Sequence, residues 1–176
     1  MTALQSVAMG LVIVLVDADL AGFDAVPDLL GWALVLAGVR RLGGSPARST
    51  LLGLAATSGL VSLALVRTDT VAALPESGGW LLSLPQVVFS FVLCGALPAL
   101  LPPADRRLGH SLARLRWVFV LVGVGPVLLY GGGVDALLVP LALVTVGANL
   151  ALVYLLFRAA GALARADTAT SSSDPT

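Results

Sequence analysis

The sequence has few charged residues, one cysteine and one histidine, and each shortage excludes a class of protein. Only 11% of its 176 residues are charged, whereas soluble domains average about 25%. The hydrophobic share is 58% and the mean hydropathy is +1.00. So few charged residues cannot supply the polar surface of a water-soluble globule, which excludes a soluble enzyme domain. The sequence therefore predicts an integral membrane protein.

The rare residues also argue against common forms of catalysis. Cys94 has no second cysteine with which to form a disulfide or a CxxC metal or redox site. His110 lies in a basic segment, far along the chain from the main acidic cluster, which argues against a histidine–carboxylate dyad. The chain also lacks HExxH, GxSxG and Walker sequences. We therefore predict no enzyme activity, no cofactor and no metal site.

Six hydrophobic runs, separated by charged or turn residues, are candidate membrane spans. They cover residues 3–22, 25–42, 50–67, 81–101, 116–132 and 136–158. Lipid offers no hydrogen bonds to the backbone, so each run is expected to be helical. The predicted fold class is an all-α polytopic bundle of six transmembrane helices. Five helices are the alternative, because the uninterrupted apolar part of the first run, 7–16, is short. With no basic segment before it, this run is read as a retained helix rather than a signal peptide.

The arginines predict the orientation of the bundle. Nine of the ten fall on one side of the six-span topology, in the segments 40–49 and 102–116 and at the carboxy-terminal end. Arginine in short loops marks the cytoplasmic side, so both termini are predicted to be cytoplasmic in a multi-pass cell-membrane protein. Residues 1–163 form the predicted transmembrane domain. Residues 164–176 are predicted to be a disordered cytoplasmic tail, because they contain too few apolar groups to offset the entropy of ordering.

The basic segment 104–116 permits two interpretations. Leucines recur in it at helical spacing, with a basic stripe beside them, which predicts a short interfacial helix. An irregular loop that only fixes the topology is the alternative. In either case the predicted partners are the lipid bilayer and its anionic headgroups rather than a nucleic acid. The leucines are Leu108, Leu112 and Leu115, the stripe is Arg107, His110 and Arg114, and the headgroup-binding residues are Arg106, Arg107, Arg114 and Arg116.

Four carboxylates within twelve residues form the candidate ion or ion-pair site: Asp17, Asp19, Asp24 and Asp28. Acidic residues at membrane depth are costly and usually serve a purpose. Asp24 suits a helix N-cap and Asp28 the positive end of a helix dipole, but Asp17 and Asp19 have no such account. The open alternatives are capping and topology, an ion pair with Arg67, and a cation or proton site.

The same stretch carries a recognisable motif, Asp24-Ala-Val-Pro27-Asp28-Leu-Leu-Gly31-Trp32, followed by Arg40-Arg41. It resembles the Asp-x-x-Pro-Asp-x-x-Gly-aromatic hairpin of small, uncharacterised multi-spanning bacterial membrane proteins. The resemblance covers roughly residues 13–42. It implies a bacterial membrane protein and carries no assigned activity.

Three features lie inside the predicted spans. Asn149 is a candidate intramembrane polar site, whose amide either joins helices or lines a polar path. The sequence Gly123-Val-Gly125-Pro126 predicts a proline kink in the fifth span, with a broken helix that exposes backbone carbonyls as the alternative. Small-residue pairs that allow close helix packing are Ala33/Ala37, Ala55/Gly59, Gly95/Ala99 and Gly147/Ala151.

Three functional classes follow from these features. A non-enzymatic membrane protein of unassigned role fits the missing motifs best. A small transporter or channel for a cation or small solute is the alternative, favoured by the carboxylates, Asn149 and the interrupted fifth span. An intramembrane enzyme fits least well.

Overall fold

The computed structural model describes residues 2–16, 26–65 and 76–171. These residues form α1 (Ala3–Val16), α2 (Val26–Arg41), α3 (Arg48–Leu65), α4 (Glu76–Ala96), α5 (Arg106–Gly132) and α6 (Leu138–Ser171). Three 3₁₀ turns, Leu97–Leu100, Pro103–Asp105 and Asp135–Leu137, adjoin them. No strand occurs within the described ranges, which agrees with the predicted all-α class.

Three helical stretches are long and apolar enough to cross a membrane: Gly78–Leu100, Pro103–Gly132 and Leu138–Ala166. The helix α1 is also apolar but has 14 residues, which span about 21 Å, short of the roughly 30 Å hydrocarbon core. The described residues are therefore helical, and three of their helical stretches could span a membrane. The number of spans and their orientation remain predictions.

The helix α5 begins at Arg106, well before the predicted start of the fifth span at residue 116. The segment 104–116 is therefore neither a separate interfacial helix nor an irregular loop, because most of it is the first part of α5. The predicted leucine stripe is buried, and the same spacing continues through Phe119 and Val122. Because the apolar face is unbroken and no proline intervenes before Pro126, nothing in the sequence ends the helix there.

The helix α6 also differs from its predicted extent, because it continues to Ser171. The predicted tail from residue 164 is helical through 171, and residues 172–176 lie outside the described part of the chain. The segment 158–166 contains five alanines, the residue with the highest helix propensity. Ala159, Ala160 and Ala162 in this part of α6 are buried, so the helix is held by packing as well.

The six helices pack in a ring that follows the chain order. Each helix from α1 to α5 contacts the next one, and α6 returns to contact α1. The interface between α1 and α2 is the most extensive of these. In the interior, Trp32 of α2 meets Phe89 of α4 edge to face, with ring centroids 5.7 Å apart. Both side chains are buried, so they join α2 to α4, two helices that are not neighbours along the chain.

Glycines bring the backbones of α1 and α2 into direct contact. A Cβ atom added to Gly10 would lie 2.4 Å from the carbonyl oxygen of Gly31, and one added to Gly38 would lie 2.7 Å from that of Ala3. Only a residue without a side chain fits at such a distance. The predicted small-residue pairs did not include these glycines. Of those pairs, Gly59 packs against Trp32, whereas Gly147 faces open space.

Burial is uneven along α6. From Ala148 onward the helix has a buried face, but every residue from Leu138 to Gly147 is exposed or half-buried. The first half of α6 therefore packs loosely on the bundle, at the end where α4 begins and α5 ends. This loose packing creates the cavity described next.

Candidate functional site

The predicted acidic site lies largely outside the described residues. Asp17, Asp19, Asp24 and Arg67 all fall there, so the capping, ion-pair and cation alternatives remain open. Asp28 is in the first turn of α2, as its predicted interaction with the helix dipole requires. Its side chain is half-buried.

A cavity lies between α4, α5 and α6. Its volume is about 520 Å³, within the usual range for a small-molecule site. It reaches from the first turns of α4 and α6 to Ser90 of α4 and Asn149 of α6. Its apolar lining includes Phe119, Val122 and Leu129 of α5 and Leu141 of α6.

Five side chains of serine, threonine, asparagine or glutamine on two helices line this cavity, and Tyr130 of α5 also contributes to the lining. Ser83, Gln86 and Ser90 come from α4, and Thr145 and Asn149 come from α6. Their spacing along each helix, three or four residues, places the members from one helix on a common face. All five residues lie within Gly78–Leu100 or Leu138–Ala166, two of the stretches that are long and apolar enough to cross a membrane. Polar groups at that depth need partners, which a bound ligand or water can provide.

Hydrogen bonds within each helix leave part of this polar lining available. The hydroxyl of Ser90 donates to the carbonyl oxygen of Gln86 at 3.0 Å, and that of Thr145 donates to the carbonyl oxygen of Leu141 at 2.8 Å. A hydroxyl oxygen that donates in this way can still accept. The Gln86 side-chain amide makes no hydrogen bond within the described ranges, so both its donor and its acceptor atoms remain available.

Asn149 belongs to the cavity rather than to a contact between helices. Its Nδ2 donates to the carbonyl oxygen of Thr145 at 2.9 Å, one turn earlier in α6. Within the described residues the predicted bond from this amide to another helix is not found. The side chain lies on the lining of the cavity, and its role as part of a polar path stays a prediction.

The interrupted part of α5 lies at the same cavity. The helix runs continuously through Pro126, so no broken helix forms. Proline has no N–H to donate to the carbonyl four residues earlier. Nearby, the indole Nε1 of Trp80 donates to the carbonyl oxygen of Gly123 at 3.2 Å, which joins the start of α4 to α5. One backbone carbonyl of this segment is therefore bonded from another helix, at the edge of the cavity.

The chemistry of this lining is that of neutral hydrogen bonding. Among the described lining residues there is no Asp, Glu, Arg, His or Cys. In the described ranges no group of three His, Cys, Asp or Glu side chains is placed to hold a metal. The arrangement can therefore orient an uncharged polar molecule, whereas it offers no carboxylate to a cation.

Sequence reasoning identified Asn149 but missed the four polar residues that accompany it. The signal was present, because Ser83, Gln86 and Ser90 recur at helical spacing within an apolar run, as do Thr145 and Asn149. Serine and threonine are common in membrane helices, where they bond their own backbone. Only the approach of α4 to α6 distinguishes a shared polar lining from scattered hydroxyls.

The basic residues of α5 lie at the opposite end of the bundle. Arg106, Arg107 and Arg114 are exposed, as their predicted contact with headgroups requires. Arg116 is instead half-buried, with its guanidinium carbon 4.0 Å from the centre of the Phe91 ring. It is thus held against α4 by a cation–π contact.

Comparison with known proteins finds no matching family model, no matching curated protein and no matching solved structure.

Proposed function

We propose that this chain is a multi-pass cell-membrane protein that binds a small uncharged solute in the cavity between α4, α5 and α6, as a small transporter would. The observation that carries the proposal is the convergence of five polar side chains from α4 and α6 on one cavity. This develops the transporter alternative of the sequence analysis and favours a neutral solute over a cation.

The available atoms define the solute. Gln86 can donate and accept, Asn149 keeps its side-chain oxygen as an acceptor, and the hydroxyls of Ser83, Ser90 and Thr145 retain accepting capacity. A polyol, an amide or a similar molecule carries complementary groups. A charged solute would lose its hydration without gaining a counter-charge, and this cost argues against it.

A non-enzymatic role is part of the proposal. Its support is the lack of catalytic motifs in the sequence and the neutral lining of the cavity. Six spans, with both termini cytoplasmic, are proposed as well, on the strength of the arginine distribution. Since α4 and α6 begin at the end opposite the arginines, the cavity would open toward the outer side.

The experiment is a solute-permeability assay in vesicles that contain the purified protein, with glycerol, urea and acetamide as probes. We expect at least one probe to cross faster than in protein-free vesicles. Gln86→Leu and Asn149→Leu should each slow that probe, by about fivefold for each hydrogen bond lost.

Thr57→Val is the matched control, because Thr57 is a polar residue of α3 whose hydroxyl also bonds its own helix but does not line the cavity. It should leave the rate unchanged. Equal losses in all three variants, or no protein-dependent permeability to any probe, would contradict the proposal.

A further inference from the structure

A second cavity lies at the arginine-rich end of the bundle, between α5 and the 3₁₀ turn that follows α4. Its volume is about 290 Å³, and it is lined by Pro98, Arg106, Gly109, His110 and Ala113. Two of these residues, Gly109 and Ala113, have small side chains or none, and a Cβ atom on Gly109 would lie in ordinary contact with Pro98, at 3.6 Å.

The two polar side chains of this cavity are basic and remain available to a ligand. Both are exposed, and within the described ranges no carboxylate forms an ion pair with Arg106, although Asp105 is its neighbour in sequence. The Nδ1 atom of His110 lies 2.7 Å from the carbonyl oxygen of Arg106. Because a carbonyl oxygen only accepts, Nδ1 carries the proton and Nε2 is left for another partner.

The same face of α5 continues to an exposed tryptophan. Arg106, His110, Ala113 and Trp117 recur at spacings of three and four residues, and Trp117 is 70% exposed. The distance from Arg106 to Trp117 along the helix is about 16 Å. Along α5 the charged Arg106 comes first, the small cavity next and the aromatic Trp117 last. A lipid presents its headgroup and then its acyl chains in the same order.

We infer that this face is a binding site for one anionic phospholipid. Arg106 binds the phosphate, His110 Nε2 binds a polar group of the headgroup, and the acyl chains run over Ala113 and along Trp117. Arg116 takes no part, because its guanidinium is stacked on Phe91 away from this face. The site is independent of the solute cavity between α4 and α6, which lies toward the other end of α5.

The test uses Trp117 as a reporter of the bound lipid. The protein carries Trp80→Phe, so that buried Trp32 and exposed Trp117 are its remaining tryptophans, and it is placed in phosphatidylcholine vesicles. About a fifth of the lipid is phosphatidylglycerol. In one sample its acyl chains carry bromine, which quenches nearby fluorescence. In the other sample phosphatidylcholine carries the same total amount of bromine.

We expect brominated phosphatidylglycerol to quench Trp117 about two- to fivefold more strongly than matched brominated phosphatidylcholine. Arg106→Gln should bring the two values together, and His110→Gln should reduce their difference. Arg107→Gln is the matched control, because it removes the same charge one residue away from a side chain that does not line the cavity. It should preserve the preference.

Three results would overturn the inference. Equal quenching by the two lipids would show that no anionic lipid is enriched at this face. Equal effects of Arg106→Gln and Arg107→Gln would show attraction by net charge rather than a site. Loss of the preference on adding inorganic phosphate, but not on adding chloride at equal ionic strength, would show a free-anion site. Helical content, measured by circular dichroism, must match the parent protein for each variant compared.

Discussion

Single residues decide how closely the first two helices approach. Gly10 and Gly31 face one another so closely that each would place an added Cβ atom within 3 Å of the other's carbonyl oxygen. Backbone atoms cannot move aside as the end of a flexible side chain can. The packing of α1 on α2 therefore depends on the absence of a side chain at Gly10 and Gly31.

Gly31→Ala is accordingly expected to destabilise the protein by about 1–3 kcal/mol, the usual cost of overpacking. The measurement is thermal or denaturant unfolding in detergent. Gly53→Ala makes the same change in α3 at a site with no atom within 4 Å of the added Cβ, and should be neutral or slightly stabilising. Equal effects of the two substitutions would refute the close contact between α1 and α2.

The contact between Gly10 and Gly31 could not be predicted from the sequence. Gly10 and Gly31 belong to different helices, and nothing in either run marks the other as its partner. The pairs found by four-residue spacing within one helix include Gly147, which faces open space. Spacing identifies a small-residue face, but which face meets another helix depends on the tertiary packing.

At the scale of the helix, hydrophobic runs predicted all six helices in the described part of the chain. Helix ends were predictable where proline or glycine fixes them. Pro102 and Pro103 follow the end of the turn after α4, and Gly133, with φ of +64°, ends α5. They were not predictable at the start of α5 or the end of α6. Charged residues mark the edge of the apolar run at both places, but a helix can continue past them into water.

The hydrogen bond between Trp80 and Gly123 joins α4 to α5 and gives a prediction for these elements. Trp80→Phe keeps most of the ring but removes the donor to a partly buried carbonyl. We expect a loss of about 1 kcal/mol in the free energy of unfolding. Trp117→Phe, at a largely exposed tryptophan on α5, should cost less. Chemical denaturation in detergent compares the two, and a Trp80→Phe variant as stable as the parent protein would contradict the bond.

For the whole protein, the orientation of the ring in the membrane rests only on the distribution of arginine in the sequence. Fusions of a reporter enzyme to each connecting segment test it, because such reporters are active on only one side of the membrane. A fusion near residue 45 and one at the carboxy terminus are both expected to report the cytoplasm. Opposite sides for these two positions, or an external position for residue 45, would refute the six-span topology with cytoplasmic termini.

The cavity between α4, α5 and α6 depends on the packing of three helices, so no single hydrophobic run predicted it. Hydroxyls and amides on α4 and α6 share a space because the first half of α6 packs loosely, whereas its second half closes the ring against α1. Asn149 is identifiable from the sequence because a side-chain amide is costly within a membrane span. The other polar residues of the lining do not stand out in the sequence, because their role depends on how α4 and α6 face each other across the cavity.

Water access to the cavity is the most direct test of whether α4, α5 and α6 enclose a polar solute site. In a background with Cys94→Ala, cysteine is placed at Asn149 or at Gly147, two residues away on the same helix. A membrane-impermeant thiosulfonate reagent reacts with the thiolate, which forms only in contact with water. We expect Asn149→Cys to be modified, because position 149 lines the cavity, and Gly147→Cys, on the exposed apolar side of α6, to stay unmodified. An unreactive cysteine at 149, or equal reactivity at both positions, would contradict a polar solute cavity between α4, α5 and α6.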